Sequence, residues 1–240
     1  LRLRHPTGAV FLQVEYDTRP PWPRAADGVG HSLVLARPSF GQGNPRAWAL
    51  SDVVGGSPGR ADSVGPEPLR RVLINELLAH TDDPLLDYIE LYNLGDQPVD
   101  ISGCLLSDSR SALTAGSTNN VFRVPDATVL PPHAFAAFDQ SQLGFALDAA
   151  GETVFLMNPI RTRVLDTVSF EGQANGVALG RVPDGVPEFA PLTDRSPGSA
   201  NGPMRASAVV INEILYEPFS GQPDDEFIEL HNPGSSPVDV

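Results

Sequence analysis

One seven-residue segment occurs twice. Val72-Leu73-Ile74-Asn75-Glu76-Leu77-Leu78 returns as Val209-Val210-Ile211-Asn212-Glu213-Ile214-Leu215, so that Ile74 and Ile211 stand 137 positions apart. The downstream stretch returns too: Asp87-Tyr88-Ile89-Glu90-Leu91-Tyr92-Asn93 and Pro98-Val99-Asp100 answer Glu226-Phe227-Ile228-Glu229-Leu230-His231-Asn232 and Pro237-Val238-Asp239. A second correspondence joins the first sixty residues to a later region. Ser57-Pro58-Gly59 matches Ser196-Pro197-Gly198, and Leu3 through Tyr16 resembles Leu156 through Phe170, each with a proline turn followed by spaced apolar residues. A period this long exceeds the roughly 20–50 residues of solenoid repeats, so the repeating object is a whole domain.

The two correspondences give one parse. Residues 1–62 read as the back part of a first domain, 63–69 as a linker, 70–202 as a complete domain, and 203–240 as the front part of a third. Both junctions have turn and linker composition, Ser63-Val64-Gly65-Pro66-Glu67-Pro68 and Asn201-Gly202-Pro203. Residues 1–62 and 203–240 could instead pair as one split domain, although they lack counterparts of roughly Cys104 to Glu152. Charge follows the parse. Residues 1–62 hold seven arginines and five acids, residues 63–202 eight and eighteen, and residues 203–240 one and seven, which makes up the total of −14.

That acidity, with a pI near 4.6 and no lysine, argues against a phosphate-backbone binder, which needs a basic patch. Cys104 is the single cysteine, so no intrachain disulfide and no cysteine-based zinc cluster can form. No run approaches the ~18 apolar residues of a membrane-spanning helix.

Within the complete domain, short apolar or alternating runs are separated by Pro or Gly. Val72–Leu78, Asp87–Asn93, Val99–Ile101, Val121–Val124, Ala134–Phe138, Thr153–Met157, Arg163–Phe170 and Gly176–Arg181 read as strands. With no sustained helical periodicity, the fold class is all-β, an antiparallel sandwich or barrel.

The ordered series Ile74-Asn75-Glu76, Asp87 to Asn93, Pro98 to Gly103, Leu130-Pro131-Pro132, Gly151 to Leu156, Val164 to Val168 and Ser196 to Asn201 resembles the lamin tail domain family. Residues 206–240 resemble the start of another such domain. The N-terminal segment, with Trp22-Pro23, Asp27 to Leu33, Trp48 and Gly55 to Gly59, resembles the end of a third. The resemblance implies an immunoglobulin-like antiparallel β-sandwich in tandem copies. It also implies a non-enzymatic module of a bacterial secreted or cell-surface protein, where such domains accompany kinase-like, nuclease or hydrolase domains. The implied partners are proteins or cell-surface polysaccharides. Cys104 departs from the family, which commonly has Trp after Ser-Gly; the smaller thiol leaves space that neighbours must fill.

Several constellations invite chemistry. Gly55-Gly56-Ser57-Pro58-Gly59 fits the G-x-S-x-G elbow of hydrolases, but the residue after the serine is a proline, with no N–H to hold an oxyanion. The five histidines, His5, His31, His80, His133 and His231, are scattered and read as surface residues rather than zinc ligands. Gly28 and Gly30 lack the βαβ context of a dinucleotide fingerprint. Glu76 and Glu90 fall in consecutive strands and recur as Glu213 and Glu229. They would serve acid–base chemistry if they shared a cleft, but alternation places Glu90 opposite Ile89 and Leu91, on a face expected to be solvated or arginine-paired.

Asp82, Asp83 and Asp87, with Asp224 and Asp225 in the repeat, form the candidate Ca²⁺ site, given that ion's need for ~6–8 oxygen ligands. Trp22, Trp48, Tyr88 and Tyr92 are candidate platform aromatics for a sugar. Tyr88 and Tyr92 share outward parity and are the candidate ligand-binding pair. No catalytic residue and no other cofactor is expected.

Overall fold

Alternation of apolar and polar residues builds most of what is observed. A computed structural model describes residues 1–18, 21–62, 67–114 and 116–238. The chain divides into two compact units, Leu1–Pro203 and Met204–Val240. Residues 63–66 of the expected linker, and Asp239 of the repeated Pro-Val-Asp, lie outside the described residues.

The first unit opens with two hairpins, β1 (Arg2–Arg4) with β2 (Val10–Gln13), and β3 (Leu33–Leu35) with β4 (Trp48–Leu50). Eleven strands follow: β5 (Val72–Leu78), β6 (Tyr88–Asn93), β7 (Val99–Asp100), β8 (Leu105–Ser107), β9 (Val121–Arg123), β10 (Val129–Leu130), β11 (Phe135–Asp139), β12 (Thr153–Met157), β13 (Val164–Ser169), β14 (Leu179–Arg181) and β15 (Phe189–Pro191). They form an immunoglobulin-like β-sandwich. One sheet has the order β11-β6-β5-β14-β15, the other β13-β12-β8-β9, with β7 and β10 as a side pair. Every pairing is antiparallel.

The core lies between the sheets. Ile74, Leu77, Ile89 and Leu91 meet Ile101, Leu106, Val154, Leu156 and Val168 there. The spacing of Ile74 and Leu77 does not fit a period of two, and a β-bulge explains it. The register with β6 shifts between Ile74 and Glu76, so Asn75 is an extra residue and both apolar side chains reach the core. Cys104 belongs to this core, and burial pushes its thiol up to about 12.

Both outer faces are covered as well. Across the four-stranded sheet, Ala25 and Val29 of the N-terminal segment pack on Leu105, Phe155, Met157 and Val164. Across the five-stranded sheet, Leu78, Tyr88, Ala178 and Leu192 form a second small cluster. Continuous burial along β5 and β6 follows from this double cover.

The second unit is a hairpin of β16 (Val210–Leu215) with β17 (Phe227–His231), and it repeats the bulge, the register shifting between Ile211 and Glu213. No helix among the described residues is long and apolar enough to cross a membrane.

Candidate functional site

The bulge at Asn75 sets Glu76 directly across from Glu90, on the outer face of the five-stranded sheet. That face is not solvated or arginine-paired as alternation alone suggested: both carboxyls are completely buried. The reason is the Ser196–Asn201 loop, which folds back over them. Glu76 accepts hydrogen bonds from Ser196 N–H at 3.0 Å, from Ser196 Oγ at 2.7 Å and from the Tyr88 hydroxyl. Glu90 accepts from Gly198 N–H at 2.6 Å and more weakly from Asn75 Nδ2 at 3.4 Å.

Asn75 Nδ2 also donates to Asp184 at 2.9 Å, and its Oδ1 accepts from Gly185 N–H. Asn201 completes the closure by donating to the carbonyls of Asn75 and Arg181. Two carboxyls facing one another in a dry site resist double ionisation. Glu90 is accordingly pushed up to about 8, chiefly by burial and further by Glu76, against the opposing bond from Gly198.

A second buried cluster, not singled out in the sequence, ties the sheets together. Asp166 on β13 accepts from Ile74 N–H at 2.9 Å and pairs with Arg181 on β14 at 2.9 Å. Arg181 Nε donates to the Ile74 carbonyl, and its guanidinium stands 4.6 Å over the Phe189 ring. Burial raises Asp166, and the arginine and backbone donors oppose that shift. Asp166 falls within the quoted Val164 to Val168 segment, but nothing in the sequence pairs it with Arg181, 15 residues on.

The candidate aromatic pair does not form an open platform. Tyr88 is buried against Leu78, Ala178 and Leu192 with its hydroxyl held by Glu76; burial first, and then that bond, raises its phenol. Tyr92, four residues along the strand, is also buried, stacked on Phe135 at 4.8 Å and hydrogen-bonded to His133. Trp22 is buried against Trp48, 6.2 Å between ring centroids.

The acidic loops are dispersed in role. Asp87 is buried and accepts from Leu147 N–H and the Thr81 hydroxyl, Asp82 accepts from Asn175, and Asp83 is exposed. Asp224 and Asp225 lie in the turn Pro223–Asp225, where Asp225 accepts from Ser220. Among the described residues, no group of three or more His, Cys, Asp or Glu side chains is arranged to hold a metal.

His31 departs from the expected surface placement. It is buried because residues 28–31 lie against β13: Val164 N–H donates to Nε2 at 2.9 Å and Nδ1 meets the Ser51 carbonyl at 3.1 Å. Nearby Arg163 pairs with Asp52 and Glu67, and Arg70 pairs with Asp52 at 3.1 Å. Ser57, in the G-x-S-x-G sequence, donates to Asp62 at 2.9 Å and opens a turn closed by Arg60 N–H on its carbonyl.

The N-terminal hairpins of this unit border an open cavity. This cavity, of about 350 Å³, is lined by Leu1, Val14 and Tyr16 beside the first hairpin and by Leu33 and Trp48 of the second.

The double-covered sheets and internally satisfied carboxyls define an immunoglobulin-like sandwich module whose repeated polar residues close the fold. Residues 66–172, which include β5 to β13, match the Lamin Tail Domain family. No curated protein matches the chain.

Proposed function

We propose that the chain is a non-catalytic interaction or spacer module of a larger secreted or cell-surface protein, built from tandem lamin-tail-like sandwiches. The observation that supports this reading is the fate of Glu76 and Glu90. The two acids best placed for acid–base chemistry spend their oxygens on the Ser196–Asn201 loop and on Tyr88, with no face left for a substrate. The test is an activity screen of the purified chain against glycoside, phosphoester and peptide substrates. No turnover is expected, and turnover abolished by Glu90→Gln overturns the reading. The partner class we propose is a protein or a cell-surface polysaccharide. Calorimetric titration of the chain with soluble polysaccharides, with and without Ca²⁺, tests the polysaccharide arm.

A further inference from the structure

The contact between residues 21–62 and the sandwich is built around an imidazole. Ala25 and Val29, with Leu50 beside them, pack on Leu105, Phe155, Met157 and Val164 of the four-stranded sheet. β13 is an outer strand of that sheet, and its Val164 N–H is given to His31 Nε2 at 2.9 Å. On the other side of the ring, Nδ1 lies 3.1 Å from the Ser51 carbonyl and 3.2 Å from Ser51 Oγ, whose own hydrogen goes to the Val53 carbonyl. Two backbone acceptors extend the contact: the Thr162 carbonyl takes Val54 N–H at 3.0 Å, and the Asp52 carbonyl takes Arg163 Nε at 2.7 Å.

These partners leave His31 a single protonation state. A backbone N–H can only donate, so Nε2 carries a lone pair; a carbonyl can only accept, so Nδ1 carries the one proton. The ring is 5% exposed. The charges around it come from every neighbouring segment: Asp52 and Asp62 from its own, Arg163 from β13's approach, and Glu67 and Arg70 from the stretch before β5. The carboxylates are engaged elsewhere. Arg163 holds Asp52 and Glu67, Arg70 holds Asp52, and Asp62 accepts from Ser57 Oγ and Asp52 N–H.

A proton on Nε2 would therefore set two donors 2.9 Å apart and place a cation near Arg163 and Arg70 in a dry contact. We infer that residues 21–62 are an acid-released clasp: when His31 Nε2 takes a proton, the segment leaves the four-stranded sheet while the sandwich stays folded. Release uncovers Leu105, Phe155, Met157 and Val164 and leaves residues 1–62 tethered through 63–69, so a docked spacer becomes an extended one in acid.

The sign follows from the environment. Burial lowers His31 from 6.5 against the Ser51 bond, with Arg163 and Arg70 adding to the shift and Asp62 opposing it. The released ring binds its proton more readily than the docked one. Docking is thus fully favoured above 6.5, and the docked-to-released ratio falls by up to about tenfold per pH unit below it, until the docked value is passed. This goes beyond the module reading, which is tested by activity and by heat of ligand binding and stands if the clasp fails.

The experiment uses the full chain carrying Ala25→Cys, which puts a thiol at a position 2% exposed under the contact; Cys104, 1% exposed between the sheets, is the internal control. Both are labelled with dithiodipyridine, which reacts with thiols in acid, and counted by intact mass, with rates divided by those of the unfolded chain at the same pH. At about pH 7.5 both thiols are expected to be protected. At about pH 5 the introduced thiol is expected to react about tenfold faster or more, with Cys104 unchanged. His31→Gln keeps an acceptor for Val164 N–H but has no proton to gain, and is expected to erase the pH dependence. The inference is overturned by an introduced thiol that reacts equally at both pH values, or by a pH dependence that survives His31→Gln. It is equally overturned by Cys104 opening in step with the introduced thiol, because the whole unit then unfolds.

Discussion

Tyr88→Phe is the most direct probe of how the five-stranded sheet is closed. The substitution keeps the ring that packs on Leu78, Ala178 and Leu192 and removes only the hydroxyl that donates to Glu76. Glu76 then keeps two donors, both from Ser196, at 3.0 and 2.7 Å. Stripping one donor from a buried acceptor costs about 1–3 kcal/mol, and the surviving pair favours the lower half of that range. In a unit the size of Leu1–Pro203, a loss of about 1.5 kcal/mol lowers Tm by about 3–6 °C.

Urea unfolding followed by circular dichroism measures the loss as a shift in midpoint at constant slope. Ser196→Ala removes a second donor from the same carboxyl, so the double variant should depart from additivity by about 0.5 kcal/mol or more. A Tyr88→Phe protein within about 0.5 kcal/mol of the parent refutes the reasoning, because it means that the hydroxyl does not satisfy a dry carboxyl.

Three further outcomes are expected. Glu90 holds its proton to about 8 in the folded chain but releases it near the ordinary 4.5 when unfolded, so the folded state binds more protons between those values. Stability is therefore full below the lower value and lost as pH rises through the upper; Glu90→Gln should flatten this slope in urea melts collected across that range. His31 runs the other way: burial lowers it from 6.5, and the folded chain keeps it neutral to accept from Val164 N–H. Stability should fall as pH drops below 6.5, and His31→Ala should erase that dependence while costing about 1–3 kcal/mol for the stranded Val164 N–H. Gly151→Ala combines a φ of +109° with a Cβ that would sit 2.6 Å from the Phe170 carbonyl oxygen, backbone that cannot swing aside. A loss of about 2 kcal/mol or more in the same urea assay is expected.

The strands were legible as apolar or alternating runs separated by Pro or Gly. Thr153–Met157 and Val72–Leu78 fall where their patterns place them, while the short β8 and β15 offer too few residues for a period to show. Parity also placed Glu90, Tyr88 and Tyr92 on one face and Ile89 and Leu91 on the other. What parity cannot report is whether a face is wet. The cover over Glu90 comes from Gly198, 108 residues away, and the cover over His31 from Val164, 133 residues away.

The repeat carries the same lesson. The order of residues by itself determined which segments share a strand pattern, where Asn75 and Asn212 interrupt it, and which acids recur, because propensity, alternation and bulge are local matters. Whether a recurring carboxyl is a buried anchor or an exposed one was decided only by tertiary structure. Glu76 and Glu213 stand in nearly identical sequence, but the first lies under a closing loop and the second is open. Burial depends on distant chain segments reaching the same point in space, and no local pattern encodes that.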